Sequence, residues 1–408
     1  MTTTEIAVSN EQIREHAERL ARGPVGVGDL AIAFDESRAA SAELLVAGTA
    51  FYPRMLGDID GARSSIHINQ FGFKPGVVGD QFAEALTRKA GEGVAVRLVV
   101  DGRGSAPEDG SQDLYARLAA SGVEICVVRA TKLRSPVGPL GGGGALGWNL
   151  HALGHFDHRK MTVVDGRIGW VGGAGIEDHF GDGRFHDLFV RVTGPVVSQL
   201  ALVFLASFRW LGGTVSAADL DALFPALDPG PDSVQAVVLH NAPGKFRPIT
   251  TAVGELIEAA TATLDIANPY VSDAAMIRRI AGAAHRGVRV RLFVPADANN
   301  WACAAAQQAH HGTLLDAGVR IVEHPAMLHA KAFVGDGEQV LAGTCNLEAW
   351  SLKRFFEIDL RVRSRDLAGQ FEERFAAPAE AVSGEGRRLT GRRERAKARV
   401  FAAISPAL

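Results

Sequence analysis

His158-Arg159-Lys160-Met161-Thr162-Val163-Val164-Asp165 returns further along the chain as His329-Ala330-Lys331-Ala332-Phe333-Val334-Gly335-Asp336. Both stretches read H-x-K-x4-D and continue with glycine. Both then run through an apolar segment into small residues, Val171-Gly172-Gly173 and Ala342-Gly343-Thr344. With 13 histidines and eight lysines in 408 residues, two matches at full spacing lie far beyond coincidence. Two imidazoles and two ammonium groups suit one anionic centre, and that is equipment for phosphoryl chemistry.

Working outward, the repeat continues. Ile59, Ala62, Ile66 and Ile68 match Ile257, Ala260, Leu264 and Ile266 in spacing. Gly93-Val94-Ala95-Val96-Arg97-Leu98 matches Gly287-Val288-Arg289-Val290-Arg291-Leu292, and Gly122-Val123-Glu124-Ile125 matches Gly318-Val319-Arg320-Ile321. Each half therefore reads as helices alternating with continuous Val/Ile/Leu strands, as expected of sheets covered on both faces. The stripe Met276, Ile277, Ile280, Ala281, Ala284 has helical period. The expectation is an α/β fold in both halves, a duplicated domain rather than a solenoid. Its parts are an N-terminal helical extension over 1–40, a first domain over 41–212, a linker over 213–233 and a second domain over 234–408. The linker is marked by Gly212-Gly213 and Pro229-Gly230-Pro231. An insertion before the first motif, with Gly141 to Gly144 in its middle, is either placed to cover or open a site or a plain surface excursion.

In a strand, residues i and i+2 share a face, so His158 and Lys160 point one way, as do His329 and Lys331. Asp165-Gly166 and Asp336-Gly337 fall where each strand reverses and predict type I′ turns. A turn role alone would explain each aspartate. A carboxylate there could also accept a hydrogen bond from an imidazole and fix its tautomer.

Composition narrows the function. Apolar residues make up 47% of the chain and the net charge is −3, so it is globular without a cationic bias toward nucleic acid. Cys126, Cys303 and Cys345 are odd in number and far apart, and read as reduced thiols. The apolar run from Leu200 stops at Arg209, short of the roughly 20 residues of a membrane span. The polar, acidic start lacks a secretory pattern. These features predict a cytoplasmic protein, peripherally associated with the inner face of the cell membrane. His151, His155 and His158 have helical spacing, but Gly154 interrupts the run, and no metal is expected. Arg387, Arg388, Arg392, Arg393, Arg395, Lys397 and Arg399 form a basic C-terminal helix, destined either for an anionic membrane or for the surface of the second domain.

With these motifs the chain resembles the phospholipase D superfamily, the HKD enzymes. Within it, the chain is most similar to bacterial cardiolipin synthases of the kind without an N-terminal membrane anchor. Beyond the two motifs the resemblance rests on Val99-Val100-Asp101-Gly102-Arg103-Gly104, His186-Asp187-Leu188-Phe189-Val190-Arg191, Asn268-Pro269-Tyr270 and Phe356-Glu357-Ile358-Asp359. It implies two α/β sandwich domains related by a pseudo-twofold axis, with both motifs in one site. It also implies that His158 attacks phosphorus to give a phosphohistidine while His329 serves as acid and base. Lys160 and Lys331 would neutralise the non-bridging oxygens, and Asp165 and Asp336 would orient the imidazoles. Gly173, Thr344 and Asn346 would bind or support the phosphate, and Glu357 would stand behind the opposing histidine. Two departures stand out: Gly175 and Phe355 each occupy a position where the family has asparagine.

The implied reaction is cardiolipin synthesis from two phosphatidylglycerols with release of glycerol, on a membrane surface and without cofactor. Phe156, Trp170 and Phe355 favour a dry site, in which transfer outruns hydrolysis. The competing readings are a phospholipase D-type hydrolase releasing phosphatidic acid, another phosphodiesterase of the superfamily, and a catalytically silent head-group binder.

Overall fold

A computed structural model describes residues 7–105, 111–128 and 156–404. The first half builds a seven-stranded sheet. In spatial order its strands are Ser41–Val46, Leu188–Thr193, Ile168–Gly172, Lys160–Val164, Ser65–Gln70, Ala95–Asp101 and Glu124–Val128. The second half repeats that order with Val234–Asn241, Glu357–Arg363, Gln339–Gly343, Ala332–Gly335, Thr263–Ala267, Arg289–Pro295 and Arg320–His324. Two short edge strands, Ser37–Ala39 and Gly384–Glu385, extend the second sheet to nine. In each sheet three neighbouring strands run parallel, Ser65–Gln70, Ala95–Asp101 and Glu124–Val128 in the first and Thr263–Ala267, Arg289–Pro295 and Arg320–His324 in the second; each motif strand forms an antiparallel hairpin with the strand that follows it. The duplicated α/β reading therefore holds strand by strand.

Three large apolar cores organise the layers among the described residues. Helices Gly48–Asp60, Val77–Gly91 and Ser111–Ala120 cover the outer face of the first sheet. Pro248–Ala259, Ala274–His285 and Trp301–Asp316 cover that of the second. Between the sheets lies the largest core, shared by both halves through Leu44, Val190, Val238, Val340 and Ile358. Helix Val196–Trp210 runs through this layer and is buried over most of its length, which explains why its sequence is apolar on every side. Among the described residues no helix is long and apolar enough to cross a membrane.

The N-terminal segment does more than extend the first half. Ser37–Ala39 pairs with Val234–Ala236 of the second sheet, and after Ala40 the chain enters the first sheet at Ser41. The stretch expected as linker contains the helix Ala217–Leu223, anchored by buried Leu220 and Leu223. The basic C-terminal segment forms the helix Arg392–Ile404, docked on Trp301–Asp316; Lys397 Nζ lies 5.4 Å from the Trp301 ring centre and the Phe401 ring 4.9 Å from it. The glycine-rich insertion, His151 and His155 lie outside the described residues.

Candidate active site

Each motif histidine sits in the extended segment just ahead of its strand, where the two halves meet. His158 N–H donates to the Phe356 carbonyl, 2.9 Å away, and His329 N–H to the His186 carbonyl at 2.7 Å. The segments therefore dock across the interface, each onto the strand entrance of the other half, and Met327–Leu328 pairs with Phe185–His186.

Side chains follow the same exchange. His158 Nδ1 lies 3.0 Å from both carboxylate oxygens of Glu357, and His329 Nδ1 lies 2.7 Å from Asp187 Oδ2. Both carboxylates are fully buried. An Nδ1–H aimed at a carboxylate leaves the lone pair on Nε2, so both rings present the same nitrogen for chemistry. Asp187 was missed as a site residue, although the sequence carries a signal: Phe185-His186-Asp187-Leu188 and Phe355-Phe356-Glu357-Ile358 place an acid at the same step of the repeat.

Asp165 and Asp336 do not orient the imidazoles, contrary to expectation. The Asp165 carboxylate accepts from the N–H groups of Arg63, Ser64 and Ser65 at 2.7–3.1 Å, and Asp336 does the same for Thr261, Ala262 and Thr263 at 2.7–3.2 Å. Each locks the approach to the neighbouring strand. Their φ values of 51° and 50°, with 61° at the following glycines, are the two positive angles a type I′ turn requires. Asp165→Ala should thus cost about 1–3 kcal/mol of stability, read by denaturant unfolding. The backbone bonds hold the Asp165 pKa below the carboxylate norm. Its contribution is present above the unfolded-state pKa and fades as pH falls through the lowered native one. A collapse of turnover in a stably folded Asp165→Ala protein would restore the orienting role.

The lysines lie deep. Lys160 is 2% exposed and Lys331 is 0% exposed. Lys160 Nζ donates to the His158 carbonyl at 2.7 Å and rests 4.9 Å from the Phe71 ring centre. Lys331 Nζ donates to the His329 carbonyl at 2.5 Å and lies 2.8 and 3.0 Å from the two ring nitrogens, a position reached only from above the ring plane. Burial lowers Lys160 to about 8 and Lys331 to about 7. It also takes both histidines well below their ordinary value, helped by the lysine charges of both halves. Burial raises Glu357 to about 8 and Asp187 to about 6. Each shift favours the neutral form, and an arriving phosphodiester anion would favour the charged ammonium groups.

The supporting positions divide. A methyl group on Gly173 would lie 2.5 Å from the Asp187 carboxylate, so glycine is what lets that acid reach His329. The Thr344 hydroxyl donates to the Ile358 carbonyl at 3.1 Å and accepts from the Ile358 N–H at 2.9 Å, which commits it to the backbone beside Glu357. Asn346 is buried with its Oδ1 unpartnered. Phe71 packs 4.9 Å and Phe355 6.0 Å from the His158 ring, while Phe180 and Phe185 pack 5.4 and 5.8 Å from His329. Phe156 joins this wall through Phe355, 5.0 Å away. Trp170 belongs elsewhere: it fills the outer core and donates to Asp58 at 2.9 Å. Among the described residues no cluster of histidine, cysteine and acidic side chains is placed to hold a metal ion.

Comparison with known proteins points to one family. The family model described as "Cardiolipin synthase, PLD-like domain" matches residues 55–204 and 253–378. A cardiolipin synthase of Listeria monocytogenes is 25% identical over 340 residues, covering 82% of this chain and 67% of the relative. Cardiolipin synthase A of Pseudomonas entomophila is 28% identical over 378 residues, covering 90% and 74%. In fold, the crystal structure of phosphatidylserine synthase from Haemophilus influenzae superposes with a TM-score of 0.69 at 13% identity, covering 97% of this chain and all of that one.

Proposed function

Because the chain belongs to the phospholipase D-like family of cardiolipin synthases, we propose that it transfers a phosphatidyl group between two phosphatidylglycerols through a phosphohistidine. The observation that carries the reading is the reciprocal anchoring of two histidines, each by a carboxylate of the other half. In the first step His158 Nε2 attacks the donor phosphorus. The bond from phosphorus to the glycerol oxygen breaks, and that oxygen takes the Nε2 proton of His329, which enters the cycle as an imidazolium beside Asp187. In the second step His329 removes the proton from a hydroxyl of the acceptor lipid. The alkoxide attacks phosphorus, the P–N bond breaks, and cardiolipin leaves with His158 restored. Splitting one displacement into two is the gain of covalent catalysis, and the buried lysines supply charge where water is scarce. The substrates place the protein at a membrane surface.

The aromatic wall around His158 and His329 favours a lipid hydroxyl over water as the second nucleophile. Incubation with phosphatidylglycerol vesicles, read by mass spectrometry, should yield cardiolipin and free glycerol in equal amounts, in EDTA as well as without it. Phosphatidic acid as the main product on concentrated vesicles would replace this reading with a phospholipase.

A further inference from the structure

One difference between the two halves lies beside the site and changes its hydrogen-bonding groups. Gly172-Gly173-Ala174-Gly175-Ile176-Glu177 corresponds to Gly343-Thr344-Cys345-Asn346-Leu347-Glu348, and the backbone fixes the register. Ile176 bridges Phe73 as Leu347 bridges Val271, and the Ile176 carbonyl accepts from Lys74 N–H as that of Leu347 does from Ser272. Gln70 donates to the Ala174 carbonyl as Asn268 does to that of Cys345, both at 3.2 Å. Where the second half has an amide, the first has none.

The glutamates also part ways. Glu348 caps its helix, accepting from the N–H groups of Trp350 and Ser351 at 2.6 and 2.7 Å. Glu177 occupies the same cap position without making that bond. Its carboxylate instead fills the space left by two glycines: a methyl group on Gly175 would lie 2.4 Å from Oε1, and one on Gly72 only 2.1 Å. Lys74 Nζ holds the other oxygen at 3.2 Å, and His179 Nδ1 lies 4.0 Å away. The His179 ring packs on Phe180 and Phe185, which pack on His329. Glu177 is also near enough to Lys160 to favour its ammonium form.

The geometry points to Glu177 and Lys74 as a subsite for the polyol head group of the acceptor, replacing the amide the second half keeps. A glycerol head group brings two hydroxyls. One attacks phosphorus; the other can donate to Glu177, while Lys74 faces the anionic phosphate of the same acceptor. A carboxylate there repels a bare anion and favours a neutral hydroxyl, so the site selects polyols. This rests on the transfer reading and names what binds on its acceptor side.

The test titrates labelled glycerol into phosphatidylglycerol vesicles and follows label entering lipid against phosphatidic acid. Glu177→Gln should raise the glycerol concentration for half-maximal transfer about tenfold, shift products toward phosphatidic acid, and change half-saturation by donor lipid much less. Gly175→Asn alone should lose transfer because the amide and Glu177 cannot share the space, and Gly175→Asn/Glu177→Gly should recover it. An unchanged glycerol half-saturation in Glu177→Gln, with a lowered melting temperature only, would reduce the pair to a structural ion pair while the transferase reading survives. A wild-type protein that makes only phosphatidic acid at every glycerol concentration overturns both.

Discussion

Replacing either His158 or His329 by alanine should lower turnover by about a hundredfold or more, and replacing both should cost little beyond that. In the proposed cycle the rings serve one phosphorus in two successive steps, so either loss stops the same cycle. The reciprocal anchoring sharpens the expectation. Glu357 and Asp187 come from the opposite halves to the rings they hold, so neither half contains a complete imidazole–carboxylate pair for its own motif. Two independent half-sites would leave each single variant about half as active as the parent protein, and that outcome would end the one-site account. Mass analysis of a quenched reaction supplies a second readout: the phosphatidyl adduct should be absent from His158→Ala and present, slow to turn over, in His329→Ala.

Lys331→Ala should cost about 10²–10³ in kcat/KM, the scale of losing one preorganised group at the developing charge. Its pH signature is more specific than its size. Burial brings Lys331 down to about 7 and Lys160 to about 8. A lysine with a lowered pKa loses its charge as pH rises through that value, so kcat/KM should fall on the alkaline side from about neutrality. Bound phosphodiester favours the ammonium, and the alkaline limb of kcat should lie higher. Lys331→Arg keeps a charge that does not titrate in this range. It should be slower than the parent protein and lose the lower alkaline limb. Limbs that coincide in kcat and kcat/KM would mean that these lysines stay charged in the empty pocket.

Much of this was legible in the sequence because duplication gives every position a control. The alternation of helices and strands in each half and the turn at each Asp-Gly follow from two copies of one pattern, and the meeting of the motifs was implied by the family resemblance. What escaped was the partnership of acids and rings. Spacing reports neighbours along a strand, and it put Asp165 within apparent reach of His158. The carboxylate that reaches the ring comes from across the interface, where spacing says nothing. Glu357 was legible only through family resemblance, and Asp187 only by setting its strand against the other half. Trp170 misled for the same reason: its apolar character was plain, but it faces the outer layer of helices rather than the phosphate. Glu177 and Glu348 share a position and differ in what they hold, which only the space beside Gly175 decides.

The single-residue crossing at Ala40 bears on how the chain is made. During synthesis from the N-terminus, Ser37–Ala39 has no partner until Val234–Ala236 has left the ribosome, and His158 has no carboxylate until Glu357 follows. Helix Val196–Trp210, apolar on every side, waits for the second sheet to cover it. The nascent first half is therefore a sticky, inactive intermediate. Release of the last strands closes the shared core and completes the His158–Glu357 pair, so a product truncated before Glu357 lacks the carboxylate that anchors its first histidine.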